Sequence, residues 1–185
     1  MQRILFILIL LFTPLAVMAS GVYQTQDSFL NETFNDEIPK SKVVWINKER
    51  RKEIEKILQH RPSFIRVRYW QQGETSAWVL SEIGKTKPIN VGVVIIGDKI
   101  ASLKVLAFHE SRGWEVKHDF FTQQFQNASL SPTKQLTKNI DGISGATLSV
   151  RALKKIARIT LYLNQQIHEK ISTKQTYHPI TSSVA

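Results

Sequence analysis

Residues 140–155, IDGISGATLSVRALKK, place three hydroxyls, two glycines and three cations in one short stretch. Gly142 and Gly145 free the backbone for positive φ and for close approach to another group. The apolar spacing that follows predicts a helix. Its first turn offers unpaired N–H groups and the positive end of the helix dipole, which together suit an anion. Ser144, Thr147 and Ser149 add hydroxyls that can hydrogen-bond a phosphate or be esterified by one. Arg151 and Lys154 bring positive charge within a turn. The chemistry favoured is that of a phosphate. A plainer account is a helix start, with Ser144 as N-cap and Asp141-Gly142 as the preceding turn.

Other chemistries find less support. The chain has no cysteine, which excludes disulfides, thiolate metal sites, Cys-x-x-Cys-His haem attachment and a lipidated cysteine. Its five histidines, at 60, 109, 118, 168 and 178, lack a metal-ligand spacing such as His-x-x-x-His, so no metal site is expected. Nothing supplies the Gly-x-Gly-x-x-Gly of a nicotinamide site, and no paired acid and base suits substrate turnover.

The order Asp141-Gly142-Ile143-Ser144-Gly145-Ala146-Thr147-Leu148-Ser149 resembles the attachment motif of the FMN-binding domain family. That family includes the C subunit of the sodium-pumping NADH:quinone reductase and the G subunit of the related electron-transport complex. The resemblance implies that Thr147 carries FMN through a phosphoester, added after export by a flavin transferase that uses FAD. Asp141, Gly142, Ser144, Gly145 and Ala146 match the flanking positions that the transferase recognises, and Leu148 completes the cofactor-binding run. A second stretch, His109-Glu110-Ser111-Arg112-Gly113-Trp114-Glu115, followed by Phe120-Phe121 and Phe125, is similar to the family's glutamate-threonine-proline-glycine segment. It implies that Glu110 and Ser111 lie at the cofactor. Ser111 stands where the family has threonine and Arg112 where it has proline. The resemblance spans roughly residues 76–165.

A flavin tethered by its phosphate needs an apolar or aromatic wall for its ring. Trp114, Trp78 and Phe108 are candidates, although aromatics in an antiparallel sheet also serve as core. Glu110 stands at a strand end, where loops commonly carry function. It is either a polar contact to the flavin or a turn residue or surface ion pair.

These residues need elements to hold them. Ile65, Val67 and Tyr69 alternate with Arg66 and Arg68, Ala77–Glu82 forms a second strand, Val91–Ile96 is nearly all apolar, and Ile100–Phe108 returns with period two. Polar turns near Gly73, Gly84–Pro88 and Gly97-Asp98 join them into an antiparallel meander. Asn47 is the expected N-cap of a short helix with Ile54, Ile57 and Leu58 on one face. Asp119–Phe125 suits a short helix, and residues 127–139 a loop. Val150, Leu153, Ala157, Leu161, Asn164 and Ile167 recur at three and four, which predicts an amphipathic helix ending near Ser172. The fold class is therefore α+β: an antiparallel sheet of about four strands with flanking helices, including a long C-terminal one.

The division expected is a signal peptide over 1–19, an extended lead-in over 20–46, an FMN-binding domain over 47–172 and a flexible tail over 173–185. Arg3, the apolar run Ile4–Leu11 and the small residues before Ser20 carry the first of these. An uncleaved anchor is the rival, but the run is short for a bilayer, which needs about 20 residues. The net charge of +10 suits an acidic partner or a membrane surface, and export argues against nucleic acid. The function expected is a periplasmic electron carrier, soluble or peripheral to the inner membrane, exchanging electrons with redox protein partners that include membrane-bound ones. The alternatives are a non-redox exported module that holds a free phosphate-bearing ligand and a protein of the membrane surface.

Overall fold

The computed structural model describes residues 21–175, with side chains described through residue 169. The segment expected to be a signal peptide, 1–19, lies outside the described residues, as does the expected tail beyond residue 175; residues 173–175, expected in that tail, instead continue the C-terminal helix.

Five strands, β1 (Lys42–Trp45), β2 (Arg66–Gln72), β3 (Thr75–Ile83), β4 (Pro88–Ile96) and β5 (Lys99–Phe108), form one antiparallel sheet in sequence order. The meander read from the four longer strands is therefore present, with β1 added at the edge. Pairing of Val43 with Arg68 and Val44 with Val67 fixes the register of that extra strand. At the opposite edge the chain at residues 21–24 runs along β5, where the Phe108 N–H donates to the Gly21 carbonyl at 2.6 Å and the Tyr23 N–H to Leu106 at 2.8 Å. Both edges of a sheet expose unpaired backbone groups, and this contact covers part of one.

Two helical layers enclose the sheet. The helices are α1 (Gln26–Phe34), α2 (Lys48–Leu58), the short α3 (Asp119–Thr122) and α4 (Thr147–Gln175). On one face α4 and α2 pack over Val67, Trp78, Val91, Val93 and Leu103, which the period-two pattern turns inward. Asn47 caps α2 as expected, its Oδ1 accepting from the Arg50 N–H at 3.0 Å. On the other face α1 sets Phe29, Leu30 and Phe34 against Trp70, Ala77, Val94 and Leu106.

The extended lead-in expected over residues 20–46 is corrected: it contains α1 and β1. Thr25 caps α1 by accepting from the Ser28 N–H at 3.1 Å. Gly92 explains how so short a helix docks. A Cβ there would lie 2.7 Å from the Phe29 ring, so the bare strand makes a seat for the aromatic side chain. Burying a phenylalanine contributes about 1.5–3 kcal/mol.

Two polar contacts fix α4 on the sheet. Near its middle, Asn164 accepts from the Ser76 hydroxyl at 2.7 Å and donates to the Gly97 carbonyl at 2.9 Å, while the Trp78 indole donates to Ser76 at 2.9 Å. Closer to its start, Lys155 reaches the buried Glu82 carboxylate of β3 at 3.2 Å. His60, just past α2, meets the same oxygen at 2.9 Å. That hydrogen bond, with a second to the Arg61 carbonyl, raises the His60 imidazole above its ordinary value. These contacts set where the first turn of α4 stands.

Candidate functional site

The chain approaches α4 through residues 140–146, held at both ends and exposed between. Ile140 and Ala146 are buried, whereas Asp141, Gly142, Ser144 and Gly145 are exposed. The Asp141 N–H donates to Gln124 Oε1 at 2.7 Å, and the Asp141 carboxylate accepts from Asn139 at 3.1 Å. Lys154 reaches back from α4 to the Ile140 carbonyl at 3.4 Å. A turn closes next, with the Ala146 N–H on the Ile143 carbonyl at 3.0 Å and Gly145 at φ +80°. Gly145 therefore uses the conformational freedom anticipated for it. Gly142 does not, since its φ is not positive, and the expectation for that residue is corrected.

Helix α4 begins at Thr147, three residues beyond Ser144. The residue in the cap position is Ala146, which has no side-chain acceptor, and Ser144 makes no capping bond among the described residues. The N–H groups of Thr147, Leu148 and Ser149 meet no protein acceptor among the described residues, and the first N–H bonded back is that of Val150, to Ala146 at 3.0 Å. The plain serine-capped helix is thus not what forms. An open helix mouth remains, with three donors and the dipole's positive end directed outward.

The three hydroxyls fare differently. Thr147 is exposed at the first helical residue, Ser144 is exposed in the preceding turn, and Ser149 is buried. Ser149 is covered by Gly113, where an added Cβ would come within 2.5 Å of Ser149 Oγ. Of these two hydroxyls in the first turn of α4, Thr147 is exposed, whereas Ser149 borders the cleft but is buried.

The second predicted stretch comes to the same place. Glu110 and Ser111 share a cleft of about 550 Å³ with Gly145, Ala146, Thr147, Leu148 and Ser149. Asp141, Gly142 and Ser144 lie outside its lining. Glu110 does more than border the cleft. Its Oε1 accepts from the N–H groups of Lys85, Thr86 and Lys87 at 2.6, 2.6 and 2.8 Å, and its Oε2 from the Thr86 hydroxyl at 3.0 Å. Partial burial pushes its carboxyl upward, but the backbone donors of Lys87, Thr86 and Lys85 and the Thr86 hydroxyl together hold it below its ordinary value. Glu110 is therefore a positioning residue that fixes the β3–β4 turn as one wall of the cleft.

That turn contributes Lys85, and the residue after Ser111 contributes Arg112. Neither was singled out for binding in the sequence. Lys85 lay in a segment with turn signals alone, and Arg112 stood out only as a replacement for proline. Their placement near an open helix mouth gives the cleft two cations for an anionic group. The aromatic candidates divide. Trp78 is stacked on Tyr69 at 4.8 Å inside the core and Phe108 is buried, so both are corrected to packing roles. Trp114 is 46% exposed but lies outside the cleft lining, beside His118 and Lys117. Leu148, 40% exposed, is the large apolar side chain that borders the cleft.

These residues fit a phosphate-bearing cofactor: an exposed hydroxyl, open N–H donors, two nearby cations and an exposed leucine. Compared with known families, residues 84–161 match the model of the FMN-binding domain. No curated protein matches the chain. The matched segment begins at the turn that Glu110 secures and ends on α4, enclosing the whole cleft. Residues 84–161 thus match an FMN-binding domain, which supports FMN as the cofactor of this site.

Proposed function

We propose that this protein is an exported electron-transfer flavoprotein, with one FMN esterified through its phosphate to Thr147, and that it passes electrons between protein partners. The observation that carries the attachment site is the exposed Thr147 hydroxyl at the uncapped mouth of α4, beside a cleft that also holds Glu110 and Ser111. The flavin, when bound, supplies the redox chemistry by accepting one or two electrons. The protein's part is positional. Thr147 holds the phosphate, the N–H groups of the first helical turn and the Lys85 and Arg112 side chains counter its charge, and Leu148 offers apolar surface. Gly145 keeps the turn open, while Glu110 holds the opposite wall.

Attachment requires a flavin transferase that draws on FAD. The mature chain starts at Ser20 in the periplasm, free or peripheral to the inner membrane, where its redox partners include membrane-bound proteins. Support comes from the n-region and apolar run at the start of the sequence. The intact mass of protein exported from a host with a flavin transferase tests both parts together. The mass expected is that of residues 20–185 plus one FMN less one water. A chain that retains Met1 would contradict processing. Flavin lost on denaturation would favour the non-redox module that holds its ligand free.

A further inference from the structure

On the other side of Thr147 from the cleft lies a groove of about 800 Å³ between α4, the loop at 135–139 and the end of α2. Five cations line it: Lys138, Arg151, Lys154, Lys155 and Arg158. No carboxylate is among its lining residues. Arg151 and Lys154, which the sequence placed with the phosphate, face this groove and not the cleft. Lys155 is paired with Glu82 at 3.2 Å. Three of the other four are tethered by neutral carbonyls: Lys138 to Gln126 at 2.8 Å, Lys154 to Ile140 at 3.4 Å and Arg158 to Lys134 at 2.6 Å. A carbonyl orients a cation and leaves its charge uncompensated.

We propose that this groove is the docking surface for an acidic redox protein, which it brings to the edge of the Thr147 site. The inference rests on reading Thr147 as the flavin attachment point. Thr147 borders both the groove and the cleft, so a partner seated in one lies against the cofactor residue of the other. Two observations favour a protein occupant. The cations are strung out along the groove, with Arg151 and Arg158 about 10 Å apart along α4 at 1.5 Å per residue, which suits an extended acidic surface better than one compact anion. Among them the half-buried Leu136, over the buried Ile57 and Val150, gives the groove a small apolar patch, as a protein interface with a polar rim has. The concavity does not match a flat lipid surface, and no aromatic lines the groove on which a nucleic-acid base could stack. Cations beside the reacting centre also speed encounter with an acidic partner.

The experiment uses the exported full chain, loaded beside a flavin transferase, with an acidic flavodoxin as the probe and a basic cytochrome c as the control. Flavin loading of every variant is first measured by intact mass. Electron exchange between the loaded, reduced protein and the acidic probe should fall about tenfold or more from low to high salt. At low salt Lys138→Glu combined with Arg151→Glu should slow it about tenfold, while Lys138→Arg with Arg151→Lys keeps the wild-type rate. Exchange with the basic control should not slow in the charge-reversed variant. The same reversal, introduced into the flavin-free Thr147→Ala chain, should weaken calorimetric binding of the acidic probe, a readout independent of electron transfer. Loaded charge-reversed protein that exchanges and binds like wild type would overturn the docking surface. So would a reversal that abolishes binding only to anionic phosphatidylglycerol vesicles, which would assign the groove to a membrane. A wild-type chain that carries no flavin would instead sink the attachment reading, and the mass measurement separates that failure from the others.

Discussion

Thr147 and Ser149 carry the same functional group two positions apart on one helix, yet their surroundings separate them. Thr147 is exposed at an uncapped helix end, and Ser149 is buried against Gly113. Ser149→Ala should therefore load flavin as well as wild type. Gly145→Val should load poorly, for a reason the structure narrows. A Cβ at Gly145 would meet nothing within 4 Å, so the penalty is the strain of a β-branched residue at φ +80°, about 1–2 kcal/mol. In-gel flavin fluorescence of the two variants, made beside the same transferase, measures this. Equal loading would show that the turn's shape is not read. Glu110 provides a pH signature. Its carboxyl titrates below the ordinary value in the folded chain, so its contribution is present above the unfolded pKa, about 4.3, and is lost as pH falls through the folded pKa. Urea unfolding should find Glu110→Gln less stable than wild type by about 1 kcal/mol near neutral pH. The difference should vanish in acid, and a difference that persisted there would contradict the turn-fixing role.

At the scale of elements, the cleft exists because the segment after β5 packs against the first turn of α4. Gly113 makes that contact, at φ +85° and directly over Ser149. Gly113→Ala should cost about 1–3 kcal/mol from the positive φ and the clash together. Adding Ser149→Ala removes the clash and should return part of the loss, leaving the backbone strain. Strictly additive losses in a double-mutant cycle would show that the two elements are not in contact. The sequence made some of these elements legible. Val67 and Tyr69 against Arg66 and Arg68 show period two plainly, and Val150, Leu153, Ala157 and Leu161 show the helical period. It concealed α1, whose buried side chains are only Phe29, Leu30 and Phe34 in a polar stretch. Its seat is a missing side chain at Gly92 on a distant strand, and local pattern does not report that. The four-residue β1 is too short to display a period. Residues of the site divide along the same line. The run around Thr147 is contiguous and readable, whereas Lys85 joins it through the turn that Glu110 holds across more than twenty residues, and Arg112 through the packing of Gly113 on Ser149. Trp78 and Phe108 looked available because period two shows which side chains share a face, not whether a helix covers it.

At the scale of the whole molecule, the sheet and its two helical layers hold α4 so that one threonine stands at the ridge between a cleft and a basic groove. The central claim is that this threonine carries the flavin covalently. Thr147→Ala tests it, because the substitution removes an exposed hydroxyl while alanine favours the helix. Wild type and variant, each exported beside a flavin transferase, are denatured and separated on a gel viewed for flavin fluorescence. The account predicts a fluorescent wild-type band, no fluorescence from wild type made without the transferase, and a folded, exported Thr147→Ala chain that stays dark. A Thr147→Ala band that still fluoresces, or a wild type left dark beside an active transferase, would contradict it.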